Sequence, residues 1–568
     1  MADDEQDQRG WWHPGSADDG STHQPDAEEQ PAPRHAAIET GPAGSNPSGS
    51  RRRAPRRAMS DAHFRRTMTL TVAGTLVPGL GLIAAGRRVA GGIILAVFIG
   101  AIAVVVGWAL SDPQGLTAMA VRPAMLNGLA VALIVLSLAW VGVVVATHLA
   151  LRHTPNHFQR LTGGALVGVL AFAVAAPMAV AARYSYDQAS LVSAVFKSEK
   201  DTKSATRPSA WASNQASEEP DGTQPSVDPW EKKPRLNLLL LGGDAGKGRT
   251  GTRTDTVIVA SIDTATGNTT LVSLPRNTGR MPFPQDSPLH DRYPYGFTDG
   301  DGNNPEYFLN AMYDNVPNSV PKDVLGETDN LGADVMKLSV GEATGLDIDY
   351  YVEINLAGFE KMINALGGIK VNINTYIPIG GNTDLGIPPS DYLEPGPDQH
   401  LKGREALWYA RGRYGSDDFA RMDRQRCVID AIIKQANPAN MLARYEEIAK
   451  AGKEIVKTDM PQEVLPLMVD LSLRVKDGNV RSIVFKHGVD GFSSPNPDFS
   501  MMRKRVKTAI GETKKEKPSP SPTTTKKAKK AKESTAPKSD DDGDKASDDI
   551  EDSCAYQPSV AATAQPAR

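Results

Sequence analysis

Five arginines and three aspartates fall within sixteen residues, Arg411 to Arg426 (RGRYGSDDFARMDRQR). Guanidinium is the side-chain cation suited to phosphate, because its planar fork binds two oxygens at once and keeps its charge when partly desolvated. Read as an extended stretch, Trp408 to Arg413 turns Arg411 and Arg413 to one face. From Asp418 onward FARMDRQRCVIDAIIKQ has helical periodicity, which puts Arg421, Arg424 and Gln425 on one stripe. The alternative reading of such a run is a solvated, salt-bridged helix face.

A second cluster upstream bears on that choice. The apolar run Leu236 to Leu241 ends at Gly242-Gly243-Asp244; the next strand, TDTVIVASI, opens with Arg253 and Asp255 two apart; TTLVSL returns and stops at Pro275-Arg276. If these three strands are neighbours, Asp244, Arg253, Asp255 and Arg276 converge on one sheet edge, where α/β sheets bind ligands. Two carboxylates with arginines at one edge suit Mg²⁺ and a diphosphate, since Mg²⁺ takes oxygen ligands and is commonly held by one or two carboxylates plus phosphate oxygens. Either aspartate alone reads equally well as a turn or capping residue. Other chemistries lack support. GGDAGKGRTGT has Leu241 and Gly248 where a Walker A loop needs Gly and Ser or Thr, HExxH and GxSxG do not occur, and His290, His400 and His487 are scattered.

The elements that position these groups form an α/β domain. Strand and helix signals alternate from Arg235 to about Lys507, and residues 234–510 are assigned to it. Ahead of it, residues 1–66 read as a disordered cytoplasmic arm and 67–183 as a membrane region. Apolar stretches at about 89–110, 125–151 and 161–182 are each long enough to span. A shorter stretch, 68–85, carries Pro78-Gly79. The basic connections at 51–66, 87–88 and 152–160 place its two ends on the same side, as a re-entrant or interfacial hairpin, with four plain spans as the alternative. An odd number of spans puts the α/β domain outside the cell. Residues 184–233 read as a stalk and 511–568 as a disordered charged tail.

The net charge of −4 gives no general case for nucleic acid. Of the two cysteines, Cys427 falls in the arginine-rich helix and Cys554 in the polar tail, so no structural disulfide and no cysteine metal site are expected.

The ordered series G-x-D, R-x-D, L-P-R, L-x-x-x-R-x-R, D-F-x-R and R-Q resembles the LytR-CpsA-Psr family of cell-wall ligases over about 235–440. The connecting signals ATGLDIDYYVEINLAGFEKMINALGGIKVNI and GPDQHLKGREALWYARGR agree with it. The resemblance implies a three-layer α/β/α sandwich on a central mixed sheet. It also implies a membrane-anchored phosphotransferase that moves a glycopolymer phosphate from a polyprenyl-pyrophosphate carrier onto a peptidoglycan sugar hydroxyl. By motif position Asp244 and Asp255 resemble the metal-binding aspartates, for Mg²⁺ or Mn²⁺. Arg253, Arg276, Arg411, Arg413, Arg421 and Gln425 resemble the pyrophosphate clamp, to which the helical stripe adds Arg424. Asp418 resembles the accompanying carboxylate; Asp418 or Asp255 could serve as general base, and Asp418 is the better candidate because a carboxylate that ligates Mg²⁺ is a poor base. Asn277 and Phe308 depart from the family pattern, which commonly has Asp and Lys there. The apolar faces of VIVASI, YYVEI and CVIDAII are candidates for the lipid slot. A carrier pyrophosphatase and a non-catalytic wall-polymer-binding protein are the rival readings.

Overall fold

The computed structural model describes residues 56–111, 115, 119–151, 157–208, 230–244, 252–383, 385–435, 456–515 and 548–567. The chain divides into a unit Met1–Ser60 and a unit Asp61–Arg568. Of the first, the described residues are the opening turns of a helix; most of the expected arm lies outside the described residues. Everything below concerns the second unit.

Its helical region comprises α1 (Arg56–Leu76, of which the part from Asp61 lies in this unit), α2 (Leu80–Ala84), α3 (Arg88–Ser111), α4 (Pro123–Leu151) and α5 (His157–Val195). Among the described residues α3, α4 and α5 are the helices long and apolar enough to cross a membrane. The stretch 68–85 is broken at Pro78-Gly79, where the sequence places its hinge. Gly79 has φ 100°, and a Cβ there would collide with the Gly91 carbonyl. The α1 helix runs antiparallel to α4: Thr67 donates to Leu151 O (3.2 Å), Thr71 Oγ1 lies 3.4 Å from His148 Nδ1, and Trp140 Nε1 donates to Thr75 O (3.0 Å).

A mixed seven-stranded sheet carries the rest. Its strands are β1 (Arg235–Gly243), β2 (Thr254–Asp263), β3 (Thr269–Leu274), β4 (Tyr350–Asn355), β9 (Val456–Thr458), β10 (Val480–Val484) and β11 (Asp548–Asp549), in the order β11-β10-β3-β2-β1-β4-β9. Two small hairpins, β5 (Ile369–Ile373) with β8 (Gly396–Leu401) and β6 (Ile377–Ile379) with β7 (Asp391–Leu393), stand apart from it. Because side chains alternate along a strand, β1 to β3 present Leu239, Leu241, Val257, Val259, Val272 and Leu274 to one face. There they are buried against α6 (Leu309–Asn315), α7 (Leu331–Thr344) and α12 (Phe499–Lys515). The opposite face, with Leu240, Ile258, Ala260 and Leu271, is covered by α10 (Asp418–Gln435). The α8 (Leu356–Leu366) and α9 (Gly403–Arg411) helices lie beside it, and α11 (Leu465–Asp477) packs at the foot of β1. This is the expected three-layer sandwich.

The structure corrects three expectations. Trp408–Arg411 is helical, not extended: Lys402 N binds Glu405 Oε2 (2.8 Å) at the start of α9, and the helix stops at Gly412. The stalk is absorbed at both ends. The α5 helix continues to Val195 and buries Val192 among Trp230, Leu236 and Tyr350, while residues 203–207 are tied into the domain. Ser204 and Thr206 donate to Asp334, and the buried Lys337 ammonium bridges to Asp459 (2.6 Å), whose other oxygen accepts from Tyr351 N (2.9 Å). Finally, the tail is partly structured: α12 runs to Lys515, residues 548–567 dock on the domain, and Cys554 forms a disulfide with Cys427. Two cysteines 127 residues apart carry no local pairing signal, because strand addition of β11 to β10 is what brings them together.

Candidate active site

The β1-β2 hairpin builds the first half of the site. Asp244 N binds Arg253 O (3.0 Å) and Arg253 N returns a bond to Asp244 Oδ1 (2.8 Å), so the loop leaves and re-enters the sheet with Asp244 and Asp255 at the same edge. A bulge between Gly242 and Gly243 makes this possible, and a Cβ at Gly242 would press on the Thr256 side chain. Strand β3 pairs with β2 and delivers Arg276, whose Nη1 meets Asp255 Oδ1 at 2.7 Å.

The second half comes from the α9-α10 corner, with Asp417 Oδ1 capping Ala420 N (2.7 Å) at the start of α10. Asp418, favourably placed in the first turn of that helix, collects three guanidinium groups: Arg421 Nη2 at 3.0 Å, Arg276 Nε at 3.4 Å and Arg413 Nη1 at 3.8 Å. The two clusters, about 140 residues apart in sequence (Arg276 to Arg413), therefore meet. Arg421 is 3% exposed, and its buried Nε has no hydrogen-bond partner among the described residues. Burial lowers the Arg421 pKa, partly offset by Asp418 and Asp255. For Asp255, burial alone would raise the pKa, but the charge and hydrogen bond of Arg276, with Arg421 and Arg413, outweigh it and hold the carboxyl below its ordinary value.

Below this charged mouth a cavity of about 220 Å³ runs between sheet and helices. Asp244, Asp255, Arg411, Arg413, Arg421 and Gln425 line its polar end. Its walls are Leu240 and Ile258, Val352 and Ile354, and Val428, Ile429 and Ile432. All three apolar faces named from sequence thus border it. Phe359 and Met362 of α8 and Leu407 of α9 close it as well. They were missed, although the i, i+3 pair Phe359 and Met362 on an amphipathic helix was legible.

Not every candidate residue points at the cavity. Arg424 is buried and donates Nε to Tyr409 O (2.7 Å) and Nη2 to Gly412 O, so it braces the corner and does not join the clamp. Burial pulls its pKa down to about 10. Arg253 reaches out to Glu306, which Asn315 also holds (3.0 Å), a partner with no signal in the sequence. Arg411 stacks over the Trp408 ring (5.0 Å), and Gln425 Nε2 donates to Ala410 O (3.2 Å). Asp418 contacts three guanidinium groups, those of Arg421 and Arg276 more closely than that of Arg413.

Because Arg276 and Arg413 share Asp418, their truncations should not be independent. Arg276→Ala and Arg413→Ala are each expected to cost about 2–4 kcal/mol in kcat/KM for transfer, and the double variant less than the sum. Steady-state kinetics of the four proteins checks this, and strict additivity would place the two residues at separate sites.

A sequence profile of the LytR_cpsA_psr family matches residues 194–489. The polyisoprenyl-teichoic acid–peptidoglycan teichoic acid transferase TagU of Enterococcus faecalis is 32% identical over 234 residues, 40% of this chain and 62% of that protein. Its TagV counterpart in Bacillus subtilis is 28% identical over 233 residues, 40% of this chain and 51% of that protein. The chain thus aligns with less than two thirds of the length of these relatives. The crystal structure of B. subtilis TagV superposes with a TM-score of 0.35 at 26% identity, covering 50% of this chain and 97% of that one. With the matched profile spanning just over half its residues, the chain belongs to the LytR-CpsA-Psr family.

Proposed function

We propose that this chain is a membrane-anchored phosphotransferase that takes a glycan phosphate from a polyprenyl-pyrophosphate carrier and joins it to a peptidoglycan sugar hydroxyl. One observation carries the reading: an apolar slot opens directly onto a cluster of arginines and carboxylates. A prenyl chain fits the slot and a diphosphate the mouth, and that juxtaposition of chemistries is what the carrier lipid offers. The acceptor oxygen forms a new bond to the glycan-bearing phosphorus as the bridging P–O bond breaks; polyprenyl phosphate leaves with the bonding electron pair, and the hydroxyl proton is released to solvent. Such transfer asks the protein for charge neutralisation and in-line placement. Arg276, Arg413 and Arg421 supply the first, and Asp418 fixes Arg276 and Arg421 relative to each other.

The mouth balances four guanidinium groups, of Arg276, Arg411, Arg413 and Arg421, with three carboxylates, of Asp244, Asp255 and Asp418. A diphosphate therefore needs further positive charge. Asp244 and Asp255, two carboxylates lining the polar end of the slot, would hold a Mg²⁺ or Mn²⁺ ion. When bound, the ion would neutralise phosphate charge and stabilise the leaving oxygen.

Tagged donor incubated with peptidoglycan oligomers tests the reading. A ligated product supports it. Free phosphorylated glycan would identify a pyrophosphatase, and unchanged donor a binding protein.

The reading requires the domain outside the membrane. The Cys427–Cys554 bond supports that placement, since disulfides persist in oxidising compartments. It also leaves no free thiol in the chain. Ser217→Cys is expected to react with an impermeant thiol reagent on intact cells. Labelling only after lysis would overturn the topology.

A further inference from the structure

The segment 548–567 lies beyond the region matched by the family profile, yet it is built into the domain. Strand β11 extends the sheet, Ile550 is 1% exposed, and Cys554 is bonded to Cys427, the neighbour of the slot-lining Val428. Downstream, two asparagines bracket the chain. Asn372 Nδ2 donates to Cys554 O (2.9 Å) and Asn374 Nδ2 to Ala555 O (3.0 Å), while Gln557 N donates back to Asn374 Oδ1 (2.8 Å). The segment crosses the small hairpins and reaches the corner between α9 and α10. There Tyr392 OH donates to Ala567 O, and the Ala567 methyl sits so close to Gly415 that a Cβ at Gly415 would collide with it.

That corner carries Arg413. Its inner side is braced by Arg424 at Gly412 O and by Ser416 N at Arg413 O (2.8 Å); its outer flank, at Gly415, meets Ala567. Of the three arginines around Asp418, Arg413 stands farthest, at 3.8 Å, and is 42% exposed. An ion pair that long and that wet fixes a side chain weakly, so the position of Arg413 depends on its backbone.

We propose that residues 555–567 are a positioning element for Arg413, holding the corner 412–417 closed so that Arg413 joins Arg276 and Arg421 on a diphosphate. The proposal rests on reading the mouth as a diphosphate site. The segment acts through Arg413 and touches no substrate.

The test measures the dissociation constants of geranylgeranyl diphosphate and inorganic pyrophosphate, each with Mg²⁺, for the full chain in lipid nanodiscs. It compares the wild type, a chain ending at Ala555 (which keeps the disulfide), Arg413→Ala, and the combination. Truncation is expected to weaken binding about fivefold with the unfolding midpoint unchanged, to add nothing in the Arg413→Ala background, and to speed amide exchange at 412–417. Unchanged affinity after truncation, or an equal loss in the Arg413→Ala background, overturns the proposal. If truncation lowers the midpoint, Tyr392→Phe, which removes only the hydroxyl bond to Ala567, takes its place in the same cycle under the same criteria. A wild type that binds neither probe refutes the diphosphate reading itself, and the positioning role falls with it.

Discussion

Arg421→Ala is expected to lower kcat/KM for glycan transfer on the order of 10³-fold, the scale on which arginines that stabilise transferring phosphoryl groups act. The expectation follows from burial. At 3% exposure the guanidinium has been stripped of water, it lies 3.0 Å from Asp418, and its Nε is a buried donor with no partner among the described residues. A donor in that condition is costly to keep unless a ligand uses it. Removing the side chain also leaves Asp418 and Asp255 with one cation fewer, so stability should fall by about 1–3 kcal/mol, less than for a fully buried pair because Arg276 and Arg413 remain. Arg421→Lys keeps the charge and loses the fork, and should recover the unfolding midpoint more fully than the rate. Kinetics beside thermal unfolding separates the two effects. Near-normal transfer by a folded Arg421→Ala protein would remove Arg421 from the clamp.

Asp255→Asn, nearly isosteric, should leave the fold intact and abolish Mg²⁺-dependent turnover. It should weaken donor binding chiefly when Mg²⁺ is present. Asp255 has two claims on its charge, the 2.7 Å contact to Arg276 and the edge it shares with Asp244. An asparagine can still accept a hydrogen bond from Arg276 but cannot offset a dication. Binding titrations with and without Mg²⁺ decide the matter: an unchanged Mg²⁺ dependence would leave the aspartates as turn formers and the arginines holding the diphosphate alone. The pH response has a defined sign. Because the folded pKa of Asp255 is depressed, its contribution to stability is present above the unfolded carboxylate value and is lost as pH falls through the folded one.

The parts of this site legible in the sequence are those in which strand direction alone fixes geometry. The ends of β1 and β3 and the start of β2 had to share an edge once the strands paired, and Asp244, Asp255 and Arg276 followed. The α10 stripe was half right. A 3.6-residue period places Arg421, Arg424 and Gln425 together, but it says nothing about backbone carbonyls. Tyr409 O and Gly412 O, freed where α9 ends, captured Arg424. The extended reading of Trp408–Arg411 failed because alternating arginines mimic a strand period, whereas the start of α9 at Lys402 and Glu405 enforces a helix. The Cys427–Cys554 pairing and the docking of 548–567 depend on long-range strand addition, for which a polar stretch offers no periodicity to read.

The way the last membrane helix enters the domain carries a mechanical meaning. Val192 of α5 is buried at the end of the sheet where β1 begins, and residues 203–207 are locked by Asp334, Lys337 and Asp459. The α/β domain is therefore joined to α5 by side-chain packing as well as by the chain itself. The charged mouth sits at the opposite end of β1, nine residues or about 26 Å from where α5 arrives. Under the proposed function, the apolar slot is the berth that would take a prenyl chain at that distance from the last membrane helix.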